Sequence, residues 1–491
     1  MPLRLPRALV LSLVLAACGK GQSPASTPPQ APVEAPAAER VLDPAAVAEV
    51  LDAHVASFGA KWGEPYAFSG FVLVAEKGEP VYAKGFGKAN RETGQVPDID
   101  TNFRVGSVTK QFTAAAILAL AEDGVLSVDD PVSKYLPGWP RGEEITIHHL
   151  LTHTAGVWNY TSDADFMAKA HEYHSTDQML AVFRDTPLEF EPGEQFSYSN
   201  SGYVMLGAII EAATGKPYGE VLAAQLFEPA GLTRTRVGDA TELTDRAEGY
   251  TVTPGEKIEG ARAIDMSVPH GAGAVRSTAA DLLAWHAMLD GDQILSASSR
   301  EVLYKPAKND YAYGWIITKA GDKRLITHGG GIFGFNTYYA RLPEDDIVIV
   351  AWTNHDTFEV GQIGNAALAV SVGDTVVPHV EADMSPVEPE LAKTLVGNFA
   401  MTAASRKKLE TLGTPAEVIE TIEAIEVKFE EGSMSFKPNG QLPLPLYTSP
   451  EGNLVTRVAN VTLTWETKED GTVDLVRMAQ GMMVLEYQRQ P

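Results

Sequence analysis

The chain has 491 residues, of which 44% are hydrophobic and 21% are charged. This length allows two or three domains, and this composition is typical of a globular protein rather than a disordered or multi-spanning one. The 39 Lys and Arg residues against 64 Asp and Glu residues give a formal net charge of −25, which disfavours nucleic acid as a partner because phosphate would be repelled.

The amino-terminal segment has the pattern of a secretion signal. Arg4 and Arg7 precede an apolar run at residues 8–17 that is too short to span a bilayer. The segment 15–18, Leu-Ala-Ala-Cys, resembles a bacterial lipobox, which predicts that residues 1–17 are removed and that Cys18 is lipidated. Cys18 is the sole cysteine, so internal disulfides and a cysteine-based zinc cluster are excluded. An ordinary signal peptide cut nearby is the alternative.

The lipobox implies a protein anchored by Cys18 to the periplasmic face of a bacterial membrane, and Gly19 favours the outer membrane. Residues 18–40 are predicted to be a tether, because the stretch 21–38 contains five Pro, five Ala and one branched aliphatic residue, Val33. Such a composition cannot form a packed core.

Periodic segments begin after residue 40 and alternate between the two types of secondary structure. A helix is predicted through residues 50–55, followed by a hairpin of two strands. The other predicted helices lie at 107–122, 203–214 and 279–289, and the predicted strands lie at 68–75, 80–86, 314–318, 337–342 and 347–352. This order predicts an α/β fold in which strands from the two ends of residues 41–375 form one sheet, with helices between them.

A change of composition marks the end of this domain. Three prolines lie among acidic residues at 376–390, which predicts a linker. Residues 391–491 contain a possible short helix opened at 414–415, strong alternation at 425–429 and 461–465, and a turn sequence at 470–471. We therefore expect a small carboxy-terminal β domain.

Ser107 and Lys110 are candidates for chemistry. They stand three positions apart at the start of the predicted helix 107–122, so both side chains project from one helical face. A serine hydroxyl is a poor nucleophile at neutral pH, and a partly desolvated amine is one of the few groups able to activate it. The backbone N–H of Ser107 can also face a developing oxyanion. Taken alone, this spacing usually marks a helix cap with a solvated lysine.

Two further segments strengthen the hypothesis. Tyr198 and Asn200 form a Tyr-x-Asn sequence immediately before the helix at 203–214, and His328 is followed by three glycines at 329–331. With the Ser-x-x-Lys segment, and in this order, they resemble the serine β-lactamase and penicillin-binding protein superfamily. The similarity is to its branch of class C β-lactamases, DD-carboxypeptidases, D-aminopeptidases and related esterases.

The resemblance extends beyond these motifs and covers roughly residues 45–370. The flanking segments at 150–156, 191–193 and 227–232 are also similar to this branch. The resemblance implies an antiparallel sheet flanked by helices in the domain 41–375. The carboxy-terminal domain resembles the lipocalin-like extensions of some members, which would cap a cleft, mediate oligomers or only stabilise the chain.

The resemblance also implies roles for single residues. Ser107 would be the nucleophile, Lys110 and Tyr198 would share the general acid and base work, and Asn200 would hold the substrate amide. An ammonium beside Tyr198 would stabilise a phenolate, so that the pair can exchange a proton with the serine and the leaving group. The expected reaction is hydrolysis, through an acyl-enzyme, of amide or ester bonds in D-amino acid peptides, peptidoglycan or small esters.

The glycine segment would complete this site. By analogy with the family, the N–H of Gly331 would form an oxyanion hole with that of Ser107, and Gly329 and Gly330 would let substrate approach the backbone. Class C β-lactamases have a lysine at the position that His328 occupies in this chain. Because histidine is mostly neutral near pH 7, it offers a hydrogen bond rather than a permanent cation, which makes efficient β-lactam hydrolysis less favoured.

One alternative to the hydrolase remains open at this point. A relative with the same fold would bind penicillin or sense cell-wall fragments without turning them over. A metal site at His148, His149 and His153 is not expected, because no further ligand accompanies them at a familiar spacing. A packing role is predicted for His153 instead, and neither a cofactor nor a metal is expected. The sequence leaves the oligomeric state open.

Overall fold

A computed structural model describes residues 41–490 except for residues 240, 254–255, 382, 412–413, 415, 431, 440–442, 457–460 and 481–482. The predicted signal peptide, Cys18 and the tether lie outside the described residues. The chain divides into two compact units, Asp43–Glu381 and Ala382–Pro491, and this division falls within the segment predicted to be a linker. In the described part, no helix is both long enough and apolar enough to cross a bilayer.

The first unit contains both helices and strands. Its helices are α1 (Pro44–Ala56), α2 (Thr109–Glu122), α3 (Ile147–Leu151), α4 (Ala164–Ala168), α5 (Thr176–Phe183), α6 (Asn200–Thr214), α7 (Tyr218–Leu222), α8 (His270–Gly273), α9 (Ala279–Asp290), α10 (Ala297–Leu303) and α11 (Gly361–Val372). Its strands are β1 (Gly70–Glu76), β2 (Glu79–Phe86), β3 (Phe103–Arg104), β4 (Arg236–Val237), β5 (Tyr250–Val252), β6 (Ile258–Gly260), β7 (Val275–Ser277), β8 (Ile316–Ala320), β9 (Lys323–Ile332), β10 (Phe335–Leu342) and β11 (Ile347–Thr353).

The main sheet of this unit joins strands from its two ends. Its order is β2-β1-β11-β10-β9-β8, and every neighbouring pair is antiparallel. Helices cover both faces, as two consecutive residues of β10 show. Tyr338 packs its ring against Gly364 of α11, whereas Tyr339 reaches the carbonyl of Leu282 in α9. The predicted antiparallel sheet flanked by helices is therefore confirmed.

Helix α2 runs through the interior of this unit. Every residue from Thr109 to Leu120 is buried, and eight of the nine residues from Phe112 to Leu120 are apolar, as expected for a helix in the interior of a domain. The Phe112 ring packs against the rings of Phe227 and Trp285, and the small residues that follow it allow close approach of neighbouring helices. This packing fixes the start of α2, where Ser107 and Lys110 lie.

The second unit is a small β barrel with short helices. Its strands are β12 (Ser385–Pro386), β13 (Gly397–Met401), β14 (Ala424–Glu430), β15 (Ser433–Pro438), β16 (Leu444–Thr448), β17 (Leu454–Val455), β18 (Val461–Thr467), β19 (Val473–Gln480) and β20 (Met483–Arg489), and its helices are α12 (Pro389–Leu395), α13 (Ala403–Thr411) and α14 (Ala416–Ile422).

Strands β13 to β20 pair in sequence order, and β20 pairs back with β13 to close the barrel. Buried side chains alternate along these strands, as Ile425 and Val427 do in β14 and Met434 and Phe436 do in β15. They form the apolar core of this unit. An up-and-down barrel of eight antiparallel strands is the lipocalin arrangement, so the predicted carboxy-terminal β domain is confirmed.

Candidate active site

Ser107 lies in a tight turn between β3 and α2. The turn requires Gly106, whose φ of 52° lies in the left-handed region. Ser107 is partly exposed, whereas its neighbours Gly106 and Val108 are buried. The turn therefore presents the serine hydroxyl to solvent from an otherwise buried segment.

The amine of Lys110 is fully buried and lies beside this hydroxyl. Its Nζ is 3.2 Å from Ser107 Oγ, 2.8 Å from Asn200 Oδ1 and 2.9 Å from the carbonyl oxygen of Ala272. None of these partners carries a negative charge. Burial lowers the pKa of Lys110 well below its usual value of 10.5. An uncharged amine within reach of a serine hydroxyl can accept its proton.

Tyr198 completes the group around the hydroxyl. Its phenol is hydrogen-bonded to Ser107, and its ring centroid lies 4.8 Å from Lys110 Nζ. Burial raises the pKa of Tyr198, and the hydrogen bond with Ser107 only partly offsets this. Burial therefore favours the uncharged amine of Lys110 and the uncharged phenol of Tyr198. This uncharged pair holds the same number of protons as the ammonium and phenolate expected from the sequence, but without the separated charges.

Asn200 orients Lys110. Its Oδ1 accepts the hydrogen bond from Lys110, and its Nδ2 donates longer bonds of 3.4 Å to Asn159 Oδ1 and 3.5 Å to Thr161 Oγ1. The backbone N–H of Asn200 also donates to Asn159 Oδ1. The sequence assigned this side chain to the substrate amide. In the structure, the side-chain oxygen of Asn200 accepts a hydrogen bond from Lys110. Its NH₂ group makes only the two long hydrogen bonds to Asn159 and Thr161.

The glycines of β9 pack directly on the turn that carries Ser107. A Cβ on Gly330 would overlap the carbonyl oxygen of Val105 and Thr337 Oγ1, and it would lie 3.1 Å from the backbone nitrogen of Ser107. A Cβ on Gly106 would lie 3.0 Å from the nitrogen of Gly331. The backbone N–H groups of Ser107 and Gly331, which are proposed to form an oxyanion hole, therefore lie in two segments that contact each other at Gly106 and Gly330.

This packing predicts a difference between neighbouring substitutions. Gly330→Ala should lower the free energy of unfolding by roughly 1–3 kcal/mol, because the backbone at Val105 must move to make room for the added Cβ. Gly329→Ala is the matched control, since its Cβ would meet only the carbonyl oxygen of Thr337 at an ordinary 3.5 Å. Thermal unfolding of both variants checks this. Equal melting temperatures would contradict the packing described above.

His328 is buried, at 4% exposure, and both of its ring nitrogens have partners. Nε2 lies 3.0 Å from the hydroxyl of Tyr311, and Nδ1 lies 2.5 Å from the carbonyl oxygen of Gly329. Burial, with a smaller effect of Lys110, lowers the pKa of His328 to about 4. The imidazole is therefore neutral at pH 7, as the sequence predicts, but its nitrogens are directed at the protein.

Two residues that contribute to the site, Ala272 and Tyr311, carry little or no signal in the sequence. Ala272 acts through its carbonyl, which any residue could supply, and Tyr311 is distant in sequence from its partner His328. His153 accepts a hydrogen bond at Nδ1 from the N–H of Ser199 and packs its ring 4.3 Å from that of Tyr198. Its φ of 55° is unusual for a non-glycine residue. The His153 position agrees with the packing role expected from the sequence.

One group of described side chains has the composition of a metal site. Ligand atoms of His286, Asp290 and Asp346 lie within 4.8 Å of one another. However, Arg341 donates from Nε to His286 Nδ1 at 2.7 Å, so the imidazole hydrogen is on Nε2 and is donated to Asp346 Oδ1 at 2.9 Å. A nitrogen that carries a hydrogen cannot bind a metal, and we interpret this group as a hydrogen-bond network.

An antiparallel sheet flanked by helices, with a serine, a lysine and a tyrosine meeting at the start of a buried helix, defines the fold class shared by β-lactamases and penicillin-binding proteins. A Beta-lactamase family model matches residues 51–373, which is more than half of the chain, and the chain belongs to the Beta-lactamase family. The resemblance stated from the sequence motifs is confirmed.

Known relatives span most of this chain. Penicillin-binding protein 4* of Bacillus subtilis (strain 168) is 28% identical over 445 residues, which are 85% of this chain and 94% of that protein. D-aminopeptidase of Brucella anthropi is 26% identical over 373 residues, 73% of this chain and 70% of that protein. A D-stereospecific amidohydrolase from Streptomyces sp. superimposes with a TM-score of 0.57 and 27% identity, covering 68% of this chain and 100% of that one.

Proposed function

We propose that this protein is a serine hydrolase that forms an acyl-enzyme on Ser107 and acts on amide or ester bonds of D-amino acid peptides, peptidoglycan fragments or small esters. The observation that carries the proposal is the fully buried amine of Lys110, which lies 3.2 Å from Ser107 Oγ and whose pKa is lowered by burial. The similarity to a D-aminopeptidase and a D-stereospecific amidohydrolase supports the substrate class.

The geometry allows a balanced acylation step. Ser107 Oγ attacks the substrate carbonyl carbon while its proton passes to the Lys110 amine. The N–H groups of Ser107 and Gly331 stabilise the oxygen that becomes negative. When the carbon–leaving-group bond breaks, Tyr198 gives its proton to the departing nitrogen or oxygen and takes the proton held by Lys110. Lys110 and Tyr198 are then again neutral, and the acyl group is bound to Ser107.

Deacylation runs through the same groups in reverse. A water molecule gives its proton to the Lys110 and Tyr198 pair as its oxygen attacks the acyl carbon. Ser107 Oγ leaves and regains a proton from the pair, so that one acid is released and no proton is left over. The proposed cycle uses only side chains and backbone groups of this chain together with water.

A fluorophosphonate probe and a set of substrates test the proposal. We expect the probe to label Ser107 and the protein to turn over p-nitrophenyl esters or D-alanyl peptides, with a chromogenic cephalosporin as a poor substrate. Labelling in a single burst without turnover of any substrate would instead support a protein that senses cell-wall fragments or binds penicillin. Absence of labelling at Ser107 would refute the proposal.

We also propose that Cys18 carries a lipid that anchors the protein at the periplasmic face of a bacterial membrane, in the outer membrane. The proposal rests on the Leu-Ala-Ala-Cys sequence at 15–18 and on Cys18 being the sole cysteine. Cys18→Ser should release the protein from the membrane fraction into the soluble fraction. Detergent-dependent extraction that persists in this variant would refute the anchor.

A further inference from the structure

Thr337 lies in β10 where this strand passes beneath the turn 105–108 that carries Ser107. Alternate side chains of a strand share one face, so Thr337 stands between Phe335 and Tyr339, and all three are buried. A hydroxyl placed between two aromatic side chains, at 5% exposure of the residue, needs hydrogen-bond partners in the protein.

The partners of this hydroxyl are backbone carbonyls from two different segments. Thr337 Oγ1 lies 3.0 Å from the carbonyl oxygen of Val105, in the turn 105–108, and 3.2 Å from that of Gly330, in β9. Carbonyls can only accept and a hydroxyl has one hydrogen, so the two carbonyls share it. The three oxygens meet because Gly330 has no side chain. A Cβ on Gly330 would lie 2.1 Å from the Val105 oxygen and 2.3 Å from Thr337 Oγ1.

The contact with Gly330 acts on one of the two N–H groups proposed for the oxyanion hole. The carbonyl of Gly330 and the N–H of Gly331 belong to the same planar peptide and point in opposite directions. A carbonyl held towards Thr337, which lies opposite Gly330 in β10, therefore directs the N–H of Gly331 away from β10. Glycines on both sides allow this peptide many orientations, so its orientation depends on the bonds that its carbonyl makes with β10.

The contact with Val105 acts on the other N–H group, that of Ser107. The carbonyl of Val105 also accepts the N–H of Val108 at 3.2 Å, which closes the turn around Ser107. The contacts at Gly106 and Gly330 described above are van der Waals contacts, which limit how closely the turn and β9 approach but favour no direction. The hydrogen bond from Thr337 adds a directional link between the turn and the sheet.

We propose that Thr337 is a positioning residue for the oxyanion hole, whose hydroxyl joins the turn 105–108 to β9 and thereby holds the N–H groups of Ser107 and Gly331 at the separation and orientation that the reaction needs. The inference rests on the proposed function, in which both N–H groups stabilise the oxygen that becomes negative. Such donors act only when they are aimed at the position that this oxygen takes in the transition state.

The loss of the hydroxyl should slow acylation without weakening substrate binding. Thr337→Val removes the hydroxyl and nearly keeps the shape of the side chain. For the detergent-solubilised full-length protein, we expect the rate constant for acylation by a p-nitrophenyl ester to fall about 10- to 100-fold. The dissociation constant of the ester should change by less than about threefold. Stopped-flow bursts of p-nitrophenolate at several ester concentrations measure both constants.

Two further variants separate positioning from stability. Thr337→Ser keeps the hydroxyl and loses a methyl group, so its acylation rate constant should stay within about threefold of the unmodified value. Thr353→Val is the matched control, because Thr353 is buried in β11 of the same sheet and its hydroxyl donates to the carbonyl oxygen of Ser69 at 2.6 Å. Both valine variants should melt at a lower temperature, since each leaves a buried carbonyl with one donor fewer, but only Thr337→Val should acylate slowly.

Infrared spectroscopy of the acyl-enzyme reads the oxyanion hole directly. A trimethylacetyl group, labelled with ¹³C at its carbonyl, is bulky and therefore leaves Ser107 slowly. Hydrogen bonds from the two N–H groups weaken its C=O bond and lower the stretching frequency. The frequency should rise in Thr337→Val and should remain that of the unmodified protein in Thr337→Ser and Thr353→Val.

Three results would each overturn the inference. The first is an acylation rate constant of Thr337→Val equal to that of Thr353→Val. The second is a Thr337→Ser variant as slow as Thr337→Val, which would assign the effect to the methyl group. The third is an unchanged carbonyl frequency in Thr337→Val. If Thr337→Val does not fold, as judged by thermal unfolding, Thr337→Ala and Thr353→Ala replace the two valine variants in each measurement.

The failure of the proposed function has a different signature. In that case the fluorophosphonate does not label Ser107 and no acyl-enzyme forms in the unmodified protein. Crystal structures of the unmodified protein and of Thr337→Val then compare the positions of the Ser107 and Gly331 nitrogens. A changed separation or orientation of these N–H groups supports the positioning role, and an unchanged arrangement overturns it.

Discussion

Replacing Ser107 by alanine should reduce kcat/KM for every substrate by at least about a thousandfold, because the nucleophile is lost while the surrounding donors remain. The variant should keep its thermal stability, since Ser107 is partly exposed and the turn depends on Gly106. Steady-state turnover and fluorophosphonate labelling, followed on intact protein by mass spectrometry, measure the effect.

A second serine controls for this substitution. Ser199 adjoins Tyr198, its side chain is buried, and its hydroxyl has no hydrogen-bond partner in the described part of the chain. Ser199→Ala should therefore retain both labelling and turnover. If Ser107→Ala were to keep the turnover of the unmodified protein, the acyl-enzyme would have to form elsewhere and the proposed mechanism would be wrong.

Lys110→Arg should lower kcat/KM by about 10²- to 10⁴-fold. The guanidinium remains protonated at every accessible pH, so it cannot accept the proton of Ser107. The unmodified protein loses activity only as pH falls through the lowered pKa of Lys110, because protonation then removes the base. The variant should show no recovery at alkaline pH, and a kcat/KM profile from pH 5 to pH 10 checks both statements.

Lys134→Arg is the matched control for this charge-conserving change. Lys134 is an exposed residue whose amine pairs with Asp130 at 2.8 Å, where a guanidinium serves equally well. Its kcat/KM profile should coincide with that of the unmodified protein. A Lys110→Arg profile that also coincides would show that Lys110 is not the base.

The sequence predicts those parts of the site whose residues lie on a single helix. Ser107 and Lys110 meet because they are one turn apart at the start of a helix, and α2 is predicted by its apolar composition. Local residues also mark helix ends. Thr278 accepts the N–H of Asp281 at the start of α9, and Gly215 closes α6 with a φ of 68°.

The parts that sequence alone did not predict depend on tertiary contacts. The three glycines at 329–331 have little preference for a strand, yet they belong to β9 because they pair with residues 336–338 of β10. The pairing of Tyr311 with His328 arises only when the loop ahead of β8 packs on α2. The carbonyl of Ala272 reaches Lys110 through the backbone of α8, and no residue type identifies such a contact in advance.

The charge state of the catalytic pair also needed the structure. Sequence reasoning predicts two roles for Lys110, a partly desolvated amine that activates Ser107 and an ammonium that stabilises a phenolate at Tyr198. Complete burial of Lys110 without an anionic partner changes this balance, because separated charges are costly in a medium of low polarity. Burial therefore favours the uncharged amine and phenol in the resting site.

The closure of the barrel has a practical consequence for engineering this protein. Strand β20 (Met483–Arg489) lies between β13 and β19 and joins them. Deleting it would leave unsatisfied backbone groups along the edges of β13 and β19, and such exposed strand edges are templates for pairing with other chains. Truncations intended to isolate the hydrolase unit should therefore remove this barrel whole rather than trim its last residues.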